Sequence, residues 1–340
     1  MNTYISADLF SGCGGLSAGM SEAGFDVKVA IENNEYAIKT FKKNHGDCEV
    51  ISEDIRKISP EEVQEYLGDN ILHLLAGCPP CQGFSSIRKL NKKRSRKDPR
   101  NALVDEYLRF VEGIKPLTIM MENVPGLESY YKFDDLIRGL KKLDYKLDYR
   151  VVNVKNYGVP QSRRRLVLVG SLLGDIEVAE ETGEAKTVRE TFDEIESFEE
   201  TTDPLHKITV NHTKRIQKLI SEVPHNGGSL SDVDPEYLSC HQKENVGFND
   251  VYGRLRWDDY STTITGGCLN PSKGRFLHPE EDRVITPREA SLLQTFPKDY
   301  KFSTDMPKNA LASMIGNALP PKFSYIQSNN IKEHLNQQLQ

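Results

Sequence analysis

This sequence of 340 residues is short of several things. No apolar run approaches the ~20 residues a membrane span needs. The opening MNTYISADLF has neither the basic flank nor the long apolar core of a secretion signal. Six cysteines scattered from 13 to 268 make no disulfide framework. A reducing, cytoplasmic setting is therefore expected. There is no internal repeat and no low-complexity tract. Nor is there a net positive charge: the balance is −6, which by itself argues weakly against a nucleic-acid partner.

What is present is 37% hydrophobic and 28% charged residues, enough for one large or two moderate soluble domains. Charge is unevenly placed. RKLNKKRSRKDPR (88–100) is almost wholly basic, whereas residues 175–203 are strongly acidic. A solvated loop is the plain reading of the basic run. Its start three residues after AGCPPCQGFS (76–85) points instead to a polyanion brought to chemistry.

The front half alternates short apolar runs with amphipathic stretches, the pattern of an α/β sheet protein. Strands are expected over 4–10, 26–31, 71–76 and 117–121, and helices over 16–23, 35–44 and 103–112. After Gly170 the periodicity weakens, acids accumulate, and turn residues crowd 224–234, so a domain change is expected there. Helical character returns over 287–294 and 308–314.

DLFSGCGG (8–15) lies where a strand meets a helix, and its glycines admit torsions and close approaches that other residues resist. It reads F-x-G-x-G-G and lacks the third glycine of the pyrophosphate-binding G-x-G-x-x-G. Alone it is equally a tight structural turn. Glu32 ends the second strand, where it can accept both hydroxyls of a ribose, and Asp54 in SEDI can accept an adenine amino group. Strand-end carboxylates with a loop of this kind suit a nucleoside carrier without phosphates, such as S-adenosylmethionine.

Cys78 and Cys81 stand in Cys-x-x-Cys spacing. Zinc needs four ligands, and no second such pair or His-x-x-x-His accompanies this one. A redox pair of thioredoxin type belongs to a fold about a third this long, with no use for a nucleoside loop. A nucleophile needs an activating and an accepting group, and both are present. Glu122 in MENVPG follows a strand, and QSRRR (161–165) offers Arg163 and Arg165, which alternation places on one strand face.

DLFSGCGG, Glu32, AGCPPCQGFS, MENVPG, NYGVPQSRRR, RWDDYSTTITGG, TPREASLLQTFP and IGNALPP resemble, in order, the signature blocks of the cytosine-5 DNA methyltransferases. The resemblance runs from residue 8 to about 321. It implies an α/β fold: a doubly wound, Rossmann-like methyltransferase sheet with a smaller, irregular, β-containing target-recognition domain. The catalytic and cofactor domain would span 1–172, completed by 286–340, with target recognition in 173–285.

The resemblance also implies roles. Cys81 would attack carbon 6 of cytosine, Glu122 would serve ring nitrogen 3, and Arg163 with Arg165 would hold the base carbonyl and the glutamate. S-adenosylmethionine, leaving as S-adenosylhomocysteine, would lie on Phe10, Gly12, Gly14, Gly15, Leu16, Glu32, Asp54, Ile55, Pro80, Leu103, Asn317 and Ala318. No metal is required. The base must leave the duplex stack; Gln82, Ser85, Arg88 and Lys89 would fill its space or touch phosphate. Arg254, Asn270, Lys273 and Arg275 would line the DNA side, although Arg254 and Arg256 could equally be structural ion-pair partners. Cys78 stands where the family commonly has glycine, and nothing in the sequence gives it a chemical part. The partner would be double-stranded DNA, with a restriction endonuclease encoded nearby but not stably bound. A monomer in a bacterial or phage-infected cytoplasm is expected. The alternatives are a tRNA cytosine-5 methyltransferase and a catalytically silent DNA-binding protein of the same fold.

Overall fold

The computed structural model describes residues 3–80, 102–233 and 250–339. The chain divides into two compact units. The first comprises residues up to Tyr157, Arg164–Thr182 and Leu319 onward; the second comprises Gly158–Arg163 and Gly183–Ala318.

The first unit is built on a seven-stranded sheet: β1 (Tyr4–Leu9), β2 (Phe25–Ile31), β3 (Glu49–Ile51), β4 (Leu74–Gly77), β5 (Thr118–Asn123), β6 (Lys146–Asn153) and β7 (Arg164–Ser171). The spatial order is β3-β2-β1-β4-β5-β7-β6, with β7 antiparallel to both its neighbours and the other pairings parallel. Strands covered on both faces read as continuous apolar runs, and β4 (LLAG) is buried at every residue. The chain steps outward from β1 to β2 and β3, then returns to β4 on the other side of β1. Ligands of open α/β sheets bind beyond the strand ends at such a switch point. Here the segments leaving β1 and β4 are DLFSGCGG and the approach to Cys81.

Helices α1 (Gly15–Glu22), α2 (Glu35–Asn44), α3 (Pro60–Leu67), α4 (Leu103–Ile114) and α5 (Tyr131–Lys142) join the strands. Their starts follow local chemistry. Asn34 caps α2 by accepting from Tyr36 and Ala37 N–H, and Ser59 with Glu62 forms a capping box ahead of Pro60. The main core includes Leu9 and Ile31 from the sheet, Val63 of α3, Phe110 of α4 and Phe133 of α5. Within α4, buried Tyr107 donates to the carbonyls of Leu75 (3.2 Å) and Met120 (3.1 Å), tying the helix to β4 and β5. Helix α1 is covered by the late helix at Pro321–Gln338. Gly19 permits this closeness, because a Cβ there would lie 2.4 Å from Ser324 Cβ. Ser324 Oγ also donates to Leu16 O at 2.7 Å.

The second unit has little regular structure. It contains short helices at Val188–Phe192, Lys214–Glu222, Pro287–Leu293 and Lys308–Asn317. Strand pairing among its described residues is limited to the isolated bridges Gln161–Ser261, Arg254–Leu277 and Leu277–Val284. Buried polar side chains replace the missing ladders. Gln161 donates to Leu293 O (2.8 Å) and Gln294 Oε1 (2.6 Å) and accepts from Ile264 N–H. Arg283 forks onto Glu281 and Glu289, and Glu289 completes a capping box with Thr286. These ties, running from 161 to 294, hold residues 286–318 within this unit, whereas 319 onward joins the first.

Candidate active site

The loop after β1 depends on left-handed backbone at Phe10 (φ 63°), Gly12 (φ 57°) and Gly14 (φ 93°). Gly12 N–H donates to Glu32 Oε2 at 2.9 Å, and Glu32 Oε1 accepts from Asn33 (2.9 Å) and Asn34 (2.7 Å) N–H. The carboxylate at the end of β2 thus shapes the loop at the end of β1 and keeps lone pairs to spare. A Cβ on Gly12 would meet nothing within 4 Å among the described residues, so the loop has room before it there. Beneath it, Ser11 Oγ and Asp8 Oδ1 are buried without a hydrogen-bond partner among the described residues. The other Asp8 oxygen accepts from Ser17 Oγ at 2.6 Å. Burial, aided by the nearby Glu32 charge, pushes the Asp8 pKa up to about 8 despite that hydrogen bond.

Gly15 and Leu16 open α1, and Phe10 and Leu103 pack half-buried on the main core. Asp54 caps the turn Ile55–Lys57 and forms an ion pair with Arg56; hydrogen bonds from Arg56 draw its pKa down to about 2. Ile55 is buried, and Pro80 half-buried. Asn317 and Ala318 lie in the second unit, at the end of helix Lys308–Asn317, with Asn317 Nδ2 donating to Ser313 Oγ.

Glu122 stands near the end of β5. Arg165, on neighbouring β7, places Nε 2.5 Å from Glu122 Oε1, and the two side chains are only 14% and 12% exposed. Such a pair is weakly screened and geometrically fixed. Gly77 of β4 pairs with Met121 of β5, so Cys78 follows beside Glu122. Burial first, then the Glu122 charge, pushes the Cys78 thiol well above its ordinary range. Asn123 Nδ2 donates to Pro79 O at 2.9 Å, pinning the exit of β4 to the end of β5. Asn123 is a positioning residue that sequence reasoning misses, and the Asn of MENVPG is the available clue to it.

Three expectations are corrected. Arg163 does not share a strand face with Arg165, because β7 begins only at Arg164. Its guanidinium is 2% exposed as a residue and donates to the carbonyls of Ile264 (2.9 Å), Gly316 (3.0 Å) and Ala318 (3.2 Å), a structural staple of the second unit. Arg254 does not line a DNA surface. It is fully buried, donates to the carbonyls of Val223, Ile220, His278 and Glu281, and pairs with Asp282. Arg275 is similarly engaged, by Asp250 and the carbonyls of Gly227, Gly228 and Arg254. Asn270 is exposed, with its side chain capping the turn Pro271–Lys273, and Lys273 is exposed. Cys81, Gln82, Ser85, Arg88 and Lys89 lie outside the described residues.

Among the described residues no His/Cys/Asp/Glu group could hold a metal ion, and no helix is long and apolar enough to cross a membrane. Cys13, Cys48, Cys78 and Cys268 form no disulfide among the described residues. Burial pushes Cys13, Cys48 and Cys268 to about 12, so with Cys78 none of the four is a thiolate at neutral pH.

A family model described as C-5 cytosine-specific DNA methylase matches residues 4–333. The Type II methylase M.HgiDII of Herpetosiphon aurantiacus is 33% identical over 342 residues, covering 96% of this chain and 95% of that protein. The Type II methyltransferase M1.BsuMI of Bacillus subtilis is 33% identical over 348 residues, covering 94% of this chain and 78% of its own. Among solved structures, a DNA modification methyltransferase encoded within an Escherichia coli prophage superposes with a TM-score of 0.75 at 25% identity, covering 98% of this chain and 100% of that one. The Dnmt2 methyltransferase of S. pombe, at 19% identity and TM-score 0.69, covers 98% of this chain and 100% of its own and shares the fold.

Proposed function

The chain belongs to the C-5 cytosine-specific DNA methylases, and from that membership we propose that it methylates a cytosine flipped out of duplex DNA, through a transient covalent bond to Cys81. Carbon 5 of cytosine is too weak a nucleophile to take a methyl group directly. Addition of the Cys81 thiolate to carbon 6 pushes the ring electrons toward carbon 5 and makes it reactive. Glu122 supplies a proton to ring nitrogen 3 as charge develops there. Arg165 fixes Glu122 and offers its remaining N–H groups to the base carbonyl. Once carbon 5 carries the methyl group it gives its proton to solvent, the sulfur–carbon bond breaks to restore the double bond and the thiolate, and ring nitrogen 3 returns its proton to Glu122.

S-adenosylmethionine, when bound, supplies the electrophilic methyl group. The chain fits it: room before Gly12, spare lone pairs on Glu32, and, among the described residues, orphaned polar atoms on Ser11 and Asp8 beneath the loop. Phe10, Gly14, Gly15, Leu16, Asp54, Ile55, Pro80, Leu103, Asn317 and Ala318 complete the proposed cofactor set. Arg163 leaves the catalytic set and acts through the backbone it staples. Gln82, Ser85, Arg88, Lys89 and the rest of the basic run supply the DNA backbone contacts. We also propose that the chain acts as a monomer and, following the Type II names of its relatives, that it marks DNA against a separately encoded endonuclease.

The observation that carries this reading is the buried Arg165–Glu122 pair, beside the strand whose chain leads on to Cys81. Incubation with labelled cofactor and duplex DNA should label the DNA, and 5-fluorocytosine in the target should trap a covalent adduct that is absent in Cys81→Ala. Label appearing only in tRNA, or no trapped adduct, would overturn it.

A further inference from the structure

The second unit holds a cavity of about 210 Å³ whose lining includes Ser162, Asp250, Arg256, Asp259, Tyr260 and Arg275. Its two guanidiniums differ. Arg275 is spent on Asp250 and three carbonyls, as described above. Arg256 is exposed and makes no side-chain hydrogen bond or ion pair among the described residues. It is nevertheless not loosely placed. Gly227, in the left-handed region at φ +107°, lies against it so closely that a Cβ there would sit 2.5 Å from Arg256 Cγ and Nε. The backbone beside it is pinned: Trp257 N–H donates to Asn226 Oδ1 at 2.8 Å, Arg189 N–H to Trp257 O at 2.9 Å, and Val188 N–H to Asp259 O at 2.8 Å. The result is a planar fork, unpaired among the described residues, on a closely packed seat.

We propose that Arg256, held by Gly227, reads a guanine edge in the DNA target. This rests on the reading of the chain as a DNA methylase. An arginine fork matches guanine O6 and N7, the commonest specific contact in the major groove. Phosphate is the rival ligand for any exposed arginine, but with Arg275 spent on Asp250 the cavity keeps Asp259 opposite Arg256, which disfavours a full negative charge and tolerates a neutral base edge. Ser162, in the same lining, stands three residues before Arg165 in the chain.

The test compares wild-type protein with Arg256→Gln, Arg256→Lys and Gly227→Ala on a library of randomised duplexes, scoring methylated cytosines by sequencing. Circular dichroism and cofactor-binding titration serve as checks on folding. Arg256→Gln should lose about 5- to 150-fold on the wild-type target and accept other bases at one guanine position. Arg256→Lys keeps the charge without the fork and should relax the same position. Gly227→Ala, which unseats the side chain, should act in the same direction. A uniform loss across all sequences, with the salt slope of binding reduced by about one, would make Arg256 a phosphate contact and overturn the proposal. So would an unchanged sequence profile in an active Arg256→Gln. A wild type that methylates no duplex would instead fell the underlying reading.

Discussion

Asp8 is a buried carboxyl with one oxygen held by Ser17 and the other without a partner among the described residues. Its pKa near 8, against an ordinary 3.8, means the folded chain holds this proton more tightly than the unfolded chain does. Its stabilising contribution is therefore complete below about pH 4 and lost as pH rises through about 8. Thermal unfolding followed across that window should show melting temperature falling with pH, and Asp8→Asn should flatten the slope and raise stability at pH 8. Cys78 makes a second test. Truncating this half-buried thiol removes one small side chain beside Glu122 and should cost about 1 kcal/mol, so Cys78→Ala should keep activity within about tenfold of wild type in initial-rate assays. A loss as deep as that of Glu122→Ala would give Cys78 a catalytic part. Glu32 and Glu122 were legible from sequence because each closes an apolar run. Arg254 was legible only as an even choice between a DNA contact and a structural ion pair; the pair with Asp282 bears out the second, and nothing in a turn-rich stretch reveals that carbonyls from residues 220, 223, 278 and 281 also converge on it.

At the scale of elements, apolar periodicity located most of what positions the site. The helix expected over 35–44 is found there, and the strand expected over 117–121 appears as Thr118–Asn123. The extra turn of residues matters, because it keeps Glu122 inside the strand and so in register with Val167. Alternation was expected to put Arg163 and Arg165 on one strand face. Arg165 does meet Glu122, but Arg163 lies just before β7 and is taken by carbonyls of the second unit. Arg163→Ala and Arg165→Ala should therefore fail differently. The first strands three carbonyls and should destabilise the protein by about 3 kcal/mol or more, read as a large drop in melting temperature. The second leaves the buried Glu122 carboxylate unpaired, so it should abolish most methyl transfer and lower the melting temperature as well. Adding Glu122→Gln should recover the thermal loss of the second and not of the first; recovery of both or of neither would contradict this division. The second unit was legible only as a loss of periodicity, because it is tied by side chains instead of ladders.

For the whole molecule, net charge misleads and its distribution informs. A protein of net charge −6 can bind DNA if its cations are gathered, as in residues 88–100. Replacing Lys92, Lys93 and Arg94 with Gln should weaken duplex binding for all sequences alike. It should also flatten the plot of log affinity against log salt by about 0.9 for each phosphate contact removed. Binding titrations at several salt concentrations, showing an unchanged slope, would assign the run to solvent.

The hydrogen bond from Ser324 to Leu16 joins positions 308 residues apart. A ribosome releases α1 early, yet the helix that must cover it, Pro321–Gln338, is made only after the entire second unit. The nascent chain therefore carries the uncovered back of α1 through nearly all of synthesis, which makes this surface a natural foothold for chaperones. Active enzyme should consequently emerge only after translation has passed the region of residue 338, as a time course in a cell-free system would read.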